Sequence, residues 1–321
     1  MLISDVIYNL EPGCMQNNNT VFGLKELVHP LSTEEFISSY WLTNKPTIIR
    51  STPDGFPKLS FLSELCTLDK LAIKYSGRVS LISREHSAFD VQGGVKAISY
   101  LEDGYTIYFR DIEDYFASVQ SVTERLAEDF GVPFFTAEIF ASSGISGVPM
   151  HSDYHLNISF LLSGERKEWT YAENTALRNQ TAICLPANKR QIDQSQLQYI
   201  GEEPLAEKMP ESAVMVIQHP GDIIFMPRGW WHSTHSFGDC VSINFIMKKP
   251  NWAHLFAIAT EKDLLTNHEW RGYPHGVVAN DKRKKLAIDE FTKLIEQYKN
   301  YLQSETSYDI AVRLVQKYLE F

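Results

Sequence analysis

Short apolar stretches dominate the middle of the chain, where β-branched and aromatic residues are separated by Gly, Pro, Asn or Ser. Segments of this kind are typical of β-strands bounded by turns. Several such strands in succession favour a sandwich or barrel over a parallel α/β sheet. Between residues 134 and 249 we predict strands at FFTAEIFAS, HLNISFLLS, KEWTYA, AVMVIQ, GDIIFMP and CVSINFIM.

The N-terminal flank mixes helical and extended segments. Residues 32–41 (STEEFISSYW) read as a capped helix, because Ser32 is an N-cap residue and Glu35 follows three positions later. Residues 113–130 have apolar side chains at every third or fourth position, which predicts an amphipathic helix.

The C-terminal flank is helical in its pattern. Residues 285–302 and 308–318 carry broad apolar stripes at helical spacing. Such stripes need a partner surface, so we expect these helices either to cap the core or to form a homodimer. We divide the chain into an N-terminal helix and strand region (1–130), a β core (131–250) and a C-terminal helical region (251–321).

Composition and charge narrow the class of protein. With 321 residues, 44% hydrophobic and 22% charged, the chain is expected to form one sizeable core with appendages. The formal net charge of -10 argues against a nucleic acid held by phosphate contacts, and the basic run 282–285 is expected to be a solvated helix start.

Cysteine spacing and hydropathy point to the compartment. The four cysteines are not at CxxC spacing, which argues against a zinc site. The N-terminus lacks a basic segment before its apolar residues, and no apolar run approaches the ~20 residues of a membrane span. We therefore expect a cytoplasmic protein without a membrane partner.

The segment HSD (residues 151–153) carries the first candidate chemistry. On a strand, His151 and Asp153 point to the same side, because alternate residues share a face. An imidazole and a carboxylate make two thirds of the 2-His-1-carboxylate set that binds Fe(II) in non-haem oxygenases. An isolated HxD pair is more often a hydrogen-bonded surface pair. Here a second segment, GDIIFMPRGWWH, ends about eighty residues later in His232 and supplies the third ligand.

HSD, the strand from Asn157 to Gly164, GDIIFMPRGWWH and VSINF together resemble the JmjC/cupin-8 oxygenases, which include factor-inhibiting HIF and the ribosomal oxygenases. The upstream segment YWLTNKPTIIR is also similar to theirs, so the resemblance covers roughly residues 32–250. It implies a mainly β fold with flanking helices, in which a double-stranded β-helix (jelly-roll, cupin-like) core is followed by C-terminal helices. It also implies Fe(II), O2, 2-oxoglutarate as co-substrate, and His151, Asp153 and His232 as the catalytic metal ligands.

The resemblance further implies a cation for the distal carboxylate of 2-oxoglutarate. Relatives place it two residues past the Gly that ends the HxD-bearing strand, and counting from Gly164 gives Arg166. Lys167 is the alternative if the turn is one residue longer. In relatives a bulky residue follows the cation by two positions, but Trp169 lies three past Arg166 and two past Lys167, so both stay open. We favour Arg166, whose guanidinium can pair with a carboxylate through two hydrogen bonds.

Other positions match the family's co-substrate pocket. The counterparts of Asn157 and Asn244 line that pocket, although Asn244 is equally well explained as a hydrogen-bonded core amide. Tyr108 matches a tyrosine that contacts the distal carboxylate. Some relatives have a residue with a hydroxyl group three positions before the first metal ligand. That position is Val148 here, so the contact of this hydroxyl with the carboxylate is missing or supplied from elsewhere. We expect His155 to be an outer or solvent-facing group and not a ligand.

The resemblance predicts an enzyme, a 2-oxoglutarate-dependent dioxygenase that hydroxylates a C–H bond on a protein or peptide side chain. The alternatives are a hydroxylase of a small molecule or peptide natural product, and a non-catalytic cupin-like binding module. Residues 173–212 form a long polar segment between ligand strands, which is either a substrate-recognition loop or a surface hairpin insertion.

Overall fold

The computed structural model describes residues 22–52, 65, 68–83, 85, 87–144, 146–177, 180–188, 199–247, 251–278 and 281–319. These residues form two compact units, one up to residue 247 and one from residue 251. The division falls where the sequence changes from strand-rich to helical. Strands from the N-terminal region and from the predicted β core belong to the same unit.

Two antiparallel sheets build the first unit, and both contribute side chains to one cavity. The larger sheet contains, in spatial order, β1 (Thr47–Ile49), β10 (Ile223–Met226), β7 (Leu156–Ser163), β12 (Cys240–Met247), β5 (Thr136–Ser142), β4 (Thr106–Phe109), β2 (Arg78–Ile82) and β3 (Ala88–Gln92). The smaller sheet contains β6 (His151–Ser152), β11 (Trp230–Phe237), β8 (Arg166–Glu173) and β9 (Val214–Gln218). The predicted jelly-roll core with flanking helices is confirmed, and each of the six predicted strands is present.

The two faces of the larger sheet differ: one carries apolar side chains of the core, and the other carries polar side chains of the cavity. Along β5 and β12, Ile139 and Ile243 are buried in the main hydrophobic core, whereas Glu138 and Asn244 line the cavity. Successive residues of a strand point to opposite faces, so one strand can serve both surroundings. The core stabilises one side of the sheet, and the other side is left for polar chemistry.

Helices of the N-terminal region contribute to the same core. The predicted capped helix is present: Oγ of Ser32 accepts a hydrogen bond from the backbone N of Glu35 at 3.0 Å, and a π-helical turn (Ile37–Trp41) continues it. The helices of this unit are α1 (Leu24–Leu27), α2 (Thr33–Phe36), α3 (Leu68–Lys74), α4 (Gly94–Ile98) and α5 (Ala117–Phe130).

Helix α5 begins four residues later than its apolar pattern predicts. A short 3-10 turn (Ile112–Asp114) comes first, and Phe116 has the extended conformation of an N-cap residue. Gly131 caps the C-terminus of the helix, and its φ of 63° is the left-handed conformation that glycine adopts without strain. Its predicted apolar face is buried, including Val119, Val122 and Leu126.

The second unit is helical, as predicted. It contains α6 (Trp252–Leu264), a 3-10 turn (His268–Arg271), α7 (Asp281–Gln303) and α8 (Ser307–Leu319). Helices α6 and α8 share a small buried cluster of Ala259, Leu314 and Tyr318. Helix α7 buries none of its residues, and the basic run at its start is exposed, as expected. Among the described residues, no helix is both long and apolar enough to cross a membrane.

Candidate metal centre

The structure brings His151, Asp153 and His232 together. Strands β6 and β11 pair so that His151 lies directly opposite His232, and Asp153 follows β6 immediately. Oδ2 of Asp153 is 3.7 Å from Nε2 of His151 and 3.5 Å from Nε2 of His232. The three ligand atoms all lie within 4.8 Å of one another, so this set can hold a metal ion.

Two glycines position the strands that carry these residues. Gly229, with φ of 80°, forms the turn before β11, and its N donates a hydrogen bond to the carbonyl of Asp153 at 2.8 Å. A Cβ at Gly147 would collide with the carbonyl oxygen of Thr234. That close approach lets the backbone N of Thr234 donate to the carbonyl of Val148 at 2.9 Å, which fixes the segment leading to His151.

Backbone carbonyls set the tautomer of both histidines. Nδ1 of His151 lies 2.8 Å from the carbonyl oxygen of Pro149, and Nδ1 of His232 lies 3.0 Å from that of Trp230. A carbonyl can only accept, so Nδ1 carries the hydrogen and, in the neutral imidazole, Nε2 keeps its lone pair. Both lone pairs belong to the nitrogens that face Asp153, the tautomer that metal-ligating histidines need.

The electrostatics keep Asp153 and His232 in their ligating forms. Burial, followed by the neighbouring His151, lowers the pKa of His232 to about 4. Burial alone would raise the pKa of Asp153, but the imidazoles of His155 and His151 hold it well below its usual range. Burial opposes protonation of His151, yet the carboxylate of Asp153 raises its pKa overall. Asp153 is therefore a carboxylate and His232 a neutral imidazole at neutral pH.

These residues line a cavity of about 280 Å³ between the two sheets. Its wall is mainly apolar, with a few polar groups, as is usual for a small-molecule site. Seven of the eight predicted site residues line it: His151, Asp153, His232, Lys167, Tyr108, Asn157 and Asn244. The exception is Arg166.

The register of β8 places Lys167 on the cavity and Arg166 away from it, which favours Lys167 over Arg166, the residue that we preferred as the candidate cation. Lys167 points into the cavity, is 5% exposed, and has its Nζ 3.2 Å from Oγ of Ser242. Arg166 lies on the other face, where it pairs with the carboxylates of Glu165 and Glu168. A strand that begins at Arg166 must place the next residue on the opposite side, so only the lysine reaches the cavity. Burial lowers the pKa of Lys167 to about 8.

Tyr108 lines the cavity but is already engaged with a carboxylate. Its ring stacks on Phe140 with centroids 4.5 Å apart, and Arg110 lies 4.8 Å over the ring. Burial and the carboxylate of Glu138, to which the hydroxyl donates a hydrogen bond, raise the pKa of Tyr108 well above its usual value. Glu138 was not predicted as a site residue. The sequence feature that could have identified it is a single carboxylate among the mainly apolar residues of the strand segment TAEIFAS.

The two predicted asparagines differ in their partners. Oδ1 of Asn244 accepts a hydrogen bond from Oγ of Ser159 at 2.8 Å, so Asn244 is a bonded core amide that also lines the cavity. Oδ1 of Asn157 has no hydrogen-bond partner among the residues that the structure describes. The position of Val148 on the cavity wall offers no hydroxyl, as the sequence indicated.

Part of the long polar segment 173–212 reaches the site. Cys184 pairs with Ser152 through two backbone hydrogen bonds of 2.9 and 2.8 Å, which attach this segment to the outer edge of β6. Its neighbours Ile183 and Leu185 line the cavity, and Ile183 is 47% exposed. The segment therefore contributes apolar surface to the site, as a substrate-contacting loop would.

Comparisons with known proteins agree with this architecture. Residues 102–251 match the sequence profile of the cupin-like domain family. The chain therefore carries a cupin-like domain of the cupin-8 (JmjC-like) type, as the resemblance implied.

Two curated proteins are similar in sequence. The chain is 23% identical over 260 residues to the uncharacterized protein YxbC of Bacillus subtilis (strain 168), a match that covers 77% of each chain. A shorter match, 39% identical over 57 residues, joins 18% of this chain to 10% of the arginine-specific demethylase JMJ20 of Arabidopsis thaliana.

Among solved structures, that of E. coli ycfD has a TM-score of 0.50 and 17% identity, covering 83% of this chain and 68% of its own. A structure of YcfD as a ribosomal oxygenase from Escherichia coli in complex with cobalt and 2-oxoglutarate has a TM-score of 0.49 and 16% identity, covering 85% and 69%. At 17% identity, the likeness to the first of these structures concerns the fold alone.

Proposed function

We propose that this protein is an Fe(II)- and 2-oxoglutarate-dependent oxygenase that hydroxylates a C–H bond on a protein or peptide side chain. The observation that carries the proposal is the pairing, on one cavity, of the His151, Asp153 and His232 set with the buried cation of Lys167. The first matches the ligands of non-haem Fe(II) sites. The second matches the distal carboxylate of a dicarboxylic co-substrate.

The ligand set fits Fe(II) in its donor chemistry. Two imidazoles and one carboxylate are the donor set of non-haem Fe(II) sites, and His151, Asp153 and His232 would hold the ion here. Bound Fe(II) supplies the redox chemistry by which O2 and 2-oxoglutarate oxidise a C–H bond. The carbonyls of Pro149 and Trp230 support the set, because they keep both Nε2 lone pairs available.

Lys167 supports a carboxylate-bearing co-substrate. Among the residues that the structure describes, no carboxylate forms an ion pair with it, and its hydrogen bond is to the neutral hydroxyl of Ser242. A buried ammonium without an anion is costly, and a bound carboxylate would remove that cost. In the proposed complex, Lys167 and Ser242 hold the distal carboxylate.

Other cavity residues orient the contents and exclude water. Trp169 is fixed by a 2.8 Å hydrogen bond from its Nε1 to Oε1 of Gln218, and its ring stacks on His232. It forms a rigid apolar wall between the metal ligands and the cation. Asn157 offers an unsatisfied amide oxygen beside them. On the substrate side, Ile183 and Leu185 offer apolar contact to an incoming side chain.

The test is turnover with defined components. Purified protein with Fe(II), ascorbate and 2-oxoglutarate should form succinate, and a peptide library should show products heavier by one oxygen atom in mass spectrometry. Arginine-containing peptides belong in the library, because JMJ20 is named an arginine-specific demethylase. Succinate formation with small molecules but no peptide would support the alternative substrate class. Metal binding without any succinate would support a non-catalytic module.

We also propose a homodimer formed through α7. This helix buries none of its residues, and Ile288, Phe291 and Ile295 are 55%, 55% and 43% exposed. These positions are three and four residues apart, so they share one face of the helix. A contiguous apolar face of this kind commonly marks an interface.

A further inference from the structure

A third histidine, His155, lies on the cavity wall beside the metal ligands, and the proposed reaction gives it no role. Its Nε2 is 3.5 Å from Oδ2 of Asp153, and its side chain is 10% exposed. It stands outside the group of described residues whose ligand atoms lie within 4.8 Å of one another. Its spacing in HSDYH, two residues past Asp153, repeats the spacing between His151 and Asp153.

The hydrogen bonding of His155 differs from that of the two ligand histidines. His151 and His232 each have a backbone carbonyl at Nδ1, which places the hydrogen there. Nδ1 of His155 is buried and has no hydrogen-bond partner in the described part of the chain. A hydrogen on that atom would be an unsatisfied buried donor, whereas a hydrogen on Nε2 faces a carboxylate oxygen. The surroundings therefore favour the Nε2–H tautomer.

We infer that His155 is a positioning residue that donates its Nε2–H to Asp153 and is not a fourth metal ligand. An imidazole binds a metal through a nitrogen lone pair, and the nitrogen of His155 that faces the site carries hydrogen instead. Carboxylate ligands are commonly held by such a donor, and its loss lowers metal affinity roughly 10- to 100-fold. The expected effect on metal affinity rests on the proposed function, whereas the tautomer of His155 does not depend on it.

The tautomer can be measured without metal. Long-range proton–nitrogen NMR on the metal-free wild-type protein should show hydrogen on Nε2 of His155 and on Nδ1 of His151 and His232. The His155→Gln variant identifies the His155 signals by their loss. Hydrogen on Nδ1 of His155 would overturn the inference. Because no metal is added, this result stands even if the wild-type protein binds no metal, an outcome that would instead contradict the proposed function.

The consequence for metal binding is tested with Co(II), by calorimetry and visible absorption. His155→Leu should weaken Co(II) binding roughly 10- to 100-fold, and His155→Gln, which keeps an N–H donor, should recover most of the affinity. The control is His235→Leu, which removes an exposed histidine three residues after His232 and should bind like wild type.

Two outcomes overturn the inference. In the first, His155→Leu binds Co(II) as tightly as His235→Leu. In the second, both His155 variants are equally weak and change the Co(II) absorption spectrum, as loss of a ligand would. Thermal unfolding of each metal-free variant shows whether it folds. If His155→Leu does not fold, two other results decide on the inference. These are the Co(II) affinity of His155→Gln relative to wild type and the tautomer of His155 in the wild-type protein.

Discussion

Lys167 and Ser242 face each other across the cavity, with Nζ 3.2 Å from Oγ, although they belong to strands of different sheets. The lysine comes from β8 of the smaller sheet and the serine from β12 of the larger one. The hydrogen bond therefore joins the two sheets at a cavity that His151, Asp153 and His232, the candidate metal ligands, also line. A buried ammonium in this position has a fixed direction and a neutral partner, which suits it to a carboxylate ligand.

Removal of Lys167 should weaken binding of 2-oxoglutarate far more than removal of Arg166. A charge-assisted hydrogen bond contributes about 1.5–3 kcal/mol, so Lys167→Met should raise the apparent KM roughly 10- to 150-fold. Arg166→Met, one residue away on the other face, is the matched control and should leave KM nearly unchanged. Succinate formation at varied 2-oxoglutarate concentration measures both. A larger effect for Arg166→Met would contradict the assignment made from the register of β8.

Binding of 2-oxoglutarate should also weaken at alkaline pH. Burial lowers the pKa of Lys167 from 10.5 to about 8, so the free protein loses this positive charge as the pH rises through 8. A bound carboxylate stabilises the charged form, so affinity should be constant below pH 8 and fall above it. Calorimetry between about pH 7 and 9.5 measures this fall. Lys167→Met should bind weakly at every pH, and the same slope in this variant would assign the effect to another group.

The metal prediction concerns His232 and its neighbour on the same strand. His232→Ala removes one of three protein ligands and should abolish tight Fe(II) binding while the metal-free protein stays folded. His151→Ala should have the same effect. His235→Ala, an exposed position three residues later, should bind metal normally. Anaerobic calorimetry provides the affinities and thermal unfolding the stability. Unchanged affinity in both ligand variants would rule out this metal site.

Gly229 allows a separate test of how the backbone supports Asp153. Gly229 and Gly104 have φ of 80° and 79°, and a Cβ at either would meet nothing within 4 Å. Alanine at each should lower the free energy of unfolding by about 1–2 kcal/mol, because the left-handed conformation is strained for it. Of the two glycines, only Gly229 donates a backbone hydrogen bond to the carbonyl of Asp153. Strain at this position would disturb that bond, so only Gly229→Ala should also weaken metal binding. Equal metal affinities in the two variants would show that this anchor is unimportant.

The convergence of the three candidate metal ligands could be predicted because it depends on local geometry. The two-residue spacing of His151 and Asp153 places both on one side of any extended segment, and strand β11 needed only to pair nearby. The choice between Arg166 and Lys167 could not be made, because it depends on where β8 begins, and a shift of one residue reverses every side chain. The role of Glu138 also depends on a tertiary contact, its hydrogen bond from Tyr108.

Strand β11 shows a second limit of the sequence pattern. Residues 230–237 (WWHSTHSF) are mostly polar and do not have a clear apolar alternation. They form a strand because β6 and β8 pair with both of their edges and Trp231 is buried in a cluster with Leu177, Cys184 and Leu205. Long-range pairing and packing thus decide the local structure here, and neither can be read from the segment itself.

The last prediction concerns the oligomeric state. If the exposed face of α7 forms a homodimer interface, light scattering of the full-length protein should give twice the mass of one chain. Replacing Ile288 and Ile295 by Glu places two charges on that face, and burying them in an interface would be costly. We therefore expect the double variant to be a monomer.

Gln297→Glu is the matched control. At 100° per residue, position 297 lies on the opposite side of the same helix from Ile288. This control should remain a dimer. A wild-type protein that has the mass of one chain at every concentration would exclude the interface, and a dimeric double variant would place the interface elsewhere.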